Sequence, residues 1–190
     1  MPSATARYLD LLDEQREAIF GEIGPLPDRV LWYRPGPGVW SIGEHLDHSR
    51  VVTCFLRRLM IVYYPLRSIF ARLLRHRPYK ADIEDLHVEL RNYPKSGGWI
   101  FLPKRTPRQP VSVGFLHEAL RAEHAAYRRF YSTHDEQLLG HVVLADPLIG
   151  AINFVQLLPI QAYHDAHHYE RVPVRIKDPE YARAAAAVGG

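Results

Sequence analysis

His164 and His168 stand four residues apart in the stretch HDAHH, residues 164–168, with His167 beside the second of them. On a helix this spacing is one turn, so both imidazoles project from the same face. A helix offers two nitrogens to one zinc, nickel or iron ion in this way. Eleven histidines in 190 residues make roughly 0.6 such pairs expected by chance, so the pair carries weight only with a third ligand. The lone Cys54 excludes a cysteine-rich zinc site and an intrachain disulfide framework. Histidine and carboxylate must therefore bind any metal.

Two self-contained histidine boxes are set aside. HDAHH fits the HxxHH box of membrane desaturases, but that chemistry needs further boxes and spanning helices, and the chain has neither. It also fits HDxxH, a zinc-protease helix with aspartate in place of glutamate. The shorter acid would hold its carboxylate differently, and no third ligand follows at short distance. A second helix must supply the third ligand. His45 and His48 are offered there, with Glu44 one turn before His48, and spacing alone does not choose between the two histidines.

The elements that must position these residues are helical almost throughout, and strand signals are nearly absent. Tyr8, Leu11, Leu12, Ala18 and Ile19 give helical spacing over 5–23, which GEIGPLP stops. Ser41 with Glu44 three residues on is a capping box, in which hydroxyl and carboxylate each satisfy an orphan backbone donor. The helix it starts keeps its rhythm to Tyr64. Pro65 then predicts a kink or a second helix in series, carried by Leu66, Ile69, Phe70, Leu73 and Leu74. Ser112 is a plausible cap for a helix over about 112–132. Asn153 with Gln156 reads as a second capping box, opening a helix to about 171 with a bend at Pro159.

Residues 77–110 break the pattern as a long insertion between helices 2 and 3. They hold a stretch, Asp82 to Arg91, that could make a short helix, and a loop rich in Pro, Gly and Lys, with Trp99, Ile100 and Phe101 for docking and Lys95, Lys104 and Arg105 as a solvated cationic set. The tail, 180–190, reads as a frayed helix or a disordered end. The whole, 1–190, reads as a single all-α domain, a four-helix bundle with one long connection.

Net charge is +3, and Arg57, Arg58, Arg67, Arg72, Arg75 and Arg77 cluster in the second helix. No nucleic-acid motif accompanies them, so nucleic acid is not expected as a partner and the arginines read as a solvated face. The segment 66–76 is apolar on one face and basic on the other, a pattern also seen in surface-seeking helices. Packing of Leu66, Ile69, Phe70, Leu73 and Leu74 into the bundle, or against a second copy, is the expectation. No apolar run approaches the ~18 residues that span a bilayer, and with no apolar signal core at the N-terminus a cytoplasmic location is expected.

These residues resemble a known family. VWSIGEHLDH is similar to the W-S-x-x-E-x-x-x-H signature of the DinB-like (DNA-damage-inducible) superfamily, also called YfiT-like metal-dependent hydrolases. HDAHH falls where that family carries H-x-x-x-H on its last bundle helix. DPLIGAINFVQLLPIQAYHDAHH resembles the family's approach to that helix. The specific motifs are confined to 40–48 and 147–168. Pro159, one turn before the first ligand, and the insertion depart from the pattern.

The resemblance implies an up-down-down-up four-helix bundle with a three-histidine site for a divalent metal. Zinc or nickel is foremost and iron is also compatible. By position the ligands are His48, His164 and His168. Glu44, His45 and Asp165 are then candidates for the layer around them, and His167 points elsewhere. The activity implied is that of an enzyme activating a low-molecular-weight thiol or water, of thiol S-transferase or hydrolase type, on a small-molecule substrate, in a homodimer. No residue is assigned as general base; Gln161 and Tyr163 are candidates by proximity only. The alternative is a non-catalytic stress-response or binding module whose metal is structural. Such a site should be closed by a fourth protein ligand such as Glu44 or His45.

Overall fold

A computed structural model of the chain describes residues 3–83, 111–146 and 150–187, with 146, 184 and 185 as backbone only. Most of the insertion, 84–110, and Pro147, Leu148 and Ile149 of the approach to the last helix lie outside the described residues, as do Lys95, Trp99, Ile100, Phe101, Lys104 and Arg105.

Among the described residues, four long helices carry the fold. α1 runs Ala4–Ile23, capped by Ser3, whose hydroxyl accepts the Ala6 N–H. The short α2, Asp28–Leu31, follows the Pro-rich stop. α3 runs Ile42–Ala71 from a complete capping box: Ser41 Oγ accepts the Glu44 N–H (3.2 Å) and Glu44 accepts the Ser41 N–H (2.9 Å). Pro65 neither breaks α3 nor splits it in two; its ring faces solvent. α4, Val113–Ser132, starts on the predicted Ser112 cap.

The stretch before the last long helix differs from expectation. After α5 (Glu136–Leu139), β1 (Val143–Asp146) and β2 (Gly150–Asn153) form an antiparallel hairpin, with Leu144 opposite Ile152. Both face the core, and four-residue strands are too short to show alternation in the sequence. The Asn153–Gln156 pair makes both reciprocal bonds, 3.0 and 2.9 Å, but they close a turn. Helix α6 begins afterwards and runs Leu157–Tyr169. Pro159 therefore occupies the first turn of α6, where a missing N–H costs nothing, and the expected bend has no cause. α7 (Arg171–Ile176) and α8 (Pro179–Ala187) complete the chain. Where the sequence reads as a loose tail, Tyr181 is buried and its hydroxyl donates to the Val30 carbonyl.

α1 packs against α4 and α6, and α3 packs against the same two. Two apolar clusters fill the space between them. One takes Leu12 from α1, Met60 from α3, Tyr127 and Tyr131 from α4 and Leu158 from α6. The other takes Ile19 and Ile23 from α1, Ile42 and Leu46 from α3, Leu116 and Leu120 from α4 and Tyr169 from α6. Between them, at one level of each helix, sit buried Arg16, Ser49, Thr53, His124, Gln161 and Asp165. The helices thus enclose a polar layer between two greasy ones.

Of the two packings expected for the apolar stripe of 66–74, the one into the bundle fails. Leu66, Ile69, Phe70 and Leu73 do not pack into the bundle. They are 58–83% exposed and Leu74, expected with them, is 39% exposed, because the second half of α3 turns Leu59, Met60, Tyr64, Ser68 and Ala71 inward.

Candidate metal centre

His164 and His168 lie one turn apart on α6, and α3 packs beside them and presents His48. One ring nitrogen from each of His48, His164 and His168 lies within 4.8 Å of the others. Nitrogens sharing one ion at ~2.1 Å stand about 3–4 Å apart, so slight rotation of the rings would seat them on one ion. Nε2 of His48 is 3.1 Å from Nε2 of His164, and the rings of His48 and His164 each stand 4.6 Å from that of His168. His45, the other candidate of its helix, is outside this trio. Its Nδ1 sits 2.9 Å from Nδ1 of His168. His167 is exposed and turned away from the trio.

Two of the three rings are held from behind. Asp165 Oδ1 is 3.0 Å from His164 Nδ1, and His45 occupies Nδ1 of His168. In both rings this leaves Nε2 to face inward, the arrangement by which a partner fixes a ligand's tautomer and orientation. Asp165 is fully buried. Gln161 Nε2 donates to its Oδ1 (2.8 Å) and also reaches Thr53 Oγ1 (3.2 Å). Gln161 is thus buried behind the histidines, while Tyr163 lines a groove between α1 and α6 with Tyr8 and Ile83.

The remaining oxygen of Asp165, Oδ2, faces His124 Nε2 at 3.9 Å. Arg16 Nη1 lies 2.9 Å from Nδ1 of the same ring. Arginine only donates, so Nδ1 of His124 accepts and the ring proton sits on Nε2, toward Asp165. Arg16 in turn donates to Asp13 (2.5 Å) and Glu17 (2.9 Å). Sequence reading missed Arg16 and His124. Their signal was a polar residue inside an apolar helical stripe, Leu12–Arg16–Ile19 and Leu120–His124–Tyr127, which is also how a stripe looks when a side chain curls to the surface.

Trp40 explains the start of the signature. Its ring stacks on His168 at 5.9 Å and 10° and meets His48 at 5.1 Å and His45 at 5.3 Å, a wall against the histidines. Glu44 is fully buried but turned to the helix start, with its oxygens accepting from Ser41 and Arg34. Burial opposes its charge, yet Arg34 and Ser41 outweigh that and hold the carboxyl below its ordinary range.

Burial, reinforced by neighbouring rings, drives His168 far below the ordinary imidazole range. Burial, with Arg175 and Arg171 nearby, pushes His45 down to about 4. Both are neutral at pH 7, and the neutral ring is the form that binds metal. Three imidazole nitrogens, with no carboxylate of the described residues among them, match the donor set of an open divalent site.

None of the curated proteins and none of the solved structures matches the chain. A model of the DinB superfamily matches residues 11–172, a span that takes in Trp40, the capping box and every histidine of the cluster, and the chain belongs to that superfamily.

Proposed function

We propose that the chain binds one divalent metal ion through His48, His164 and His168 and uses it to activate a low-molecular-weight thiol or a water against a small-molecule substrate. The observation that carries this reading is the convergence of three ring nitrogens, two of them on rings whose other nitrogen is already engaged. Membership of a superfamily that generally binds metal supports it. Such an ion supplies Lewis acidity that favours the deprotonated form of a thiol or water. Asp165 and His45 orient the rings, and Trp40 covers one side and keeps solvent from it. Zinc and nickel both suit three imidazoles, and so does iron.

An enzyme is favoured over a module with a structural ion because a closed site needs a fourth ligand, and among the described residues the two candidates for it are taken. Glu44 is engaged by Ser41 and Arg34, and His45 by His168. His164 keeps 26% of its side chain exposed, an approach for substrate. The same reading takes α1, α3, α4 and α6 as an up-down-down-up bundle within one domain. Its support is that α1 and α6 enter the Leu12 cluster first and the Ile19 cluster second, while α3 and α4 pass through them in reverse order. A homodimer belongs to the proposal through the family resemblance alone.

The test is elemental analysis of untagged wild type and His48→Ala, purified without added metal. About one ion per chain, lost in the variant, is the expected result. Wild type that stays empty after reloading with zinc and nickel sinks the proposal.

A further inference from the structure

From residue 48 to residue 81 the chain carries eight arginines and lysines and no acidic residue. Most of that span is α3, whose second half projects an apolar stripe into solvent. At 100° per residue, Val62, Leu66, Ile69 and Phe70 fall within an arc of about 100°, and Leu73 is exposed just past the helix end. Val62 is 71% exposed and Leu73 83%. Met60, Ser68 and Ala71, which anchor α3 to the bundle, lie on the opposite side. Arg58 and Arg72 flank the stripe on one edge and Arg67 on the other. Arg57 is paired with Glu123, and Arg75 approaches Asp135 at 3.7 Å. Arg58, Arg67, Arg72 and Arg77 have no acidic partner among the described residues.

Singly exposed apolar side chains are ordinary, but a continuous stripe of this kind marks a surface that meets something. We propose that this face of α3 docks on an anionic lipid surface. The apolar side chains would enter the boundary between headgroups and acyl chains while the arginines reach out to phosphates, as amphipathic interfacial helices do. Charge decides against a second copy as the occupant. Two stripes packed face to face would bring arginine rims together, with no acid between residues 48 and 81 of either copy to separate them. An anionic bilayer complements both the stripe and its rims. No helix among the described residues is long and apolar enough to cross a membrane, so the contact is one of lying on the surface.

The test is sedimentation of the full chain with vesicles of phosphatidylcholine alone and of phosphatidylcholine with phosphatidylglycerol, alongside its mass in solution. Retention on the anionic vesicles only, weakened by salt, is expected. Leu66→Glu with Phe70→Glu should abolish it, and Arg67→Gln and Arg72→Gln should each lower partitioning roughly fivefold. All four positions are exposed, so circular dichroism should be unchanged. Wild type that ignores anionic vesicles overturns the proposal, as does retention that survives the double glutamate change. A wild-type dimer that this change converts to monomer also overturns it, since the stripe then belongs to a second copy.

Discussion

Asp165 Oδ1 stands 3.0 Å from Nδ1 of His164, and the two residues are neighbours in the chain. Adjacent helical side chains diverge by about 100°, so this contact requires the histidine to face the trio while the aspartate lies buried beside it. Gln161 holds the carboxylate there, and His124 faces its other oxygen at 3.9 Å. The aspartate acts on the site through the ring and touches nothing that would react.

The first prediction follows from that pairing. Asp165→Asn keeps the shape but removes the charge that sets the His164 tautomer, and zinc affinity should fall by about 10–100-fold. Competition with a chelating dye measures it. Affinity within twofold of wild type would show that His164 needs no such support. His48→Ala, which removes a ligand, should lose far more.

The second concerns acid. His45 is depressed to about 4 in the fold from an unfolded value near 6.5, so the unfolded chain takes the proton first. The stability tied to neutral His45 is present above pH ~6.5 and is lost as pH falls toward 4. His168 works in the same direction. Urea titration of metal-free protein should give a midpoint that drops across this window. In His45→Gln the drop should be shallower, and an equal drop in both would remove His45 from the account.

Much of this was legible. Caps at Ser41 and Ser112 are local bonds between residues three apart, and both appear where the sequence places them. His48, His164 and His168 were legible because a motif and a helical turn fix their faces. His45 and His48 could not be separated by spacing, since both lie near the α6 side of α3; packing separates them. The hairpin was hidden by its brevity. The exposed stripe was hidden because an amphipathic period says that one face is apolar without saying which face meets the core.

Gly43 carries the third prediction, and it is one that only tertiary packing reveals. A Cβ built there would lie 2.8 Å from the Trp32 ring. That ring is buried and tethered through Nε1 to the Val111 carbonyl at 2.8 Å, so it has little room to retreat. Although alanine favours helix, Gly43→Ala should destabilise by about 1–3 kcal/mol. A denaturation midpoint at or above that of wild type would mean that the ring moves freely. The substitution lies at the start of α3, so it should also disturb His48 and lower metal content.

The polar layer gives the last. Arg16 is 5% exposed and His124 3%, and each satisfies the other across α1 and α4 at 2.9 Å. His124→Leu leaves a buried guanidinium short of an acceptor and should cost about 1–3 kcal/mol. Arg16→Met alone should cost a comparable amount, because the imidazole then keeps a buried nitrogen without its donor. The double change removes both needs at once, and replacing a whole buried pair by apolar groups is often close to neutral. The double variant should therefore be more stable than the sum of the singles allows, by 1 kcal/mol or about that. Simple additivity in urea unfolding would show that the two residues are independent. A double variant that is stable but binds zinc more weakly would show the layer's other task, since His124 is the group facing Asp165 from α4, and Asp165 needs its place fixed to hold His164.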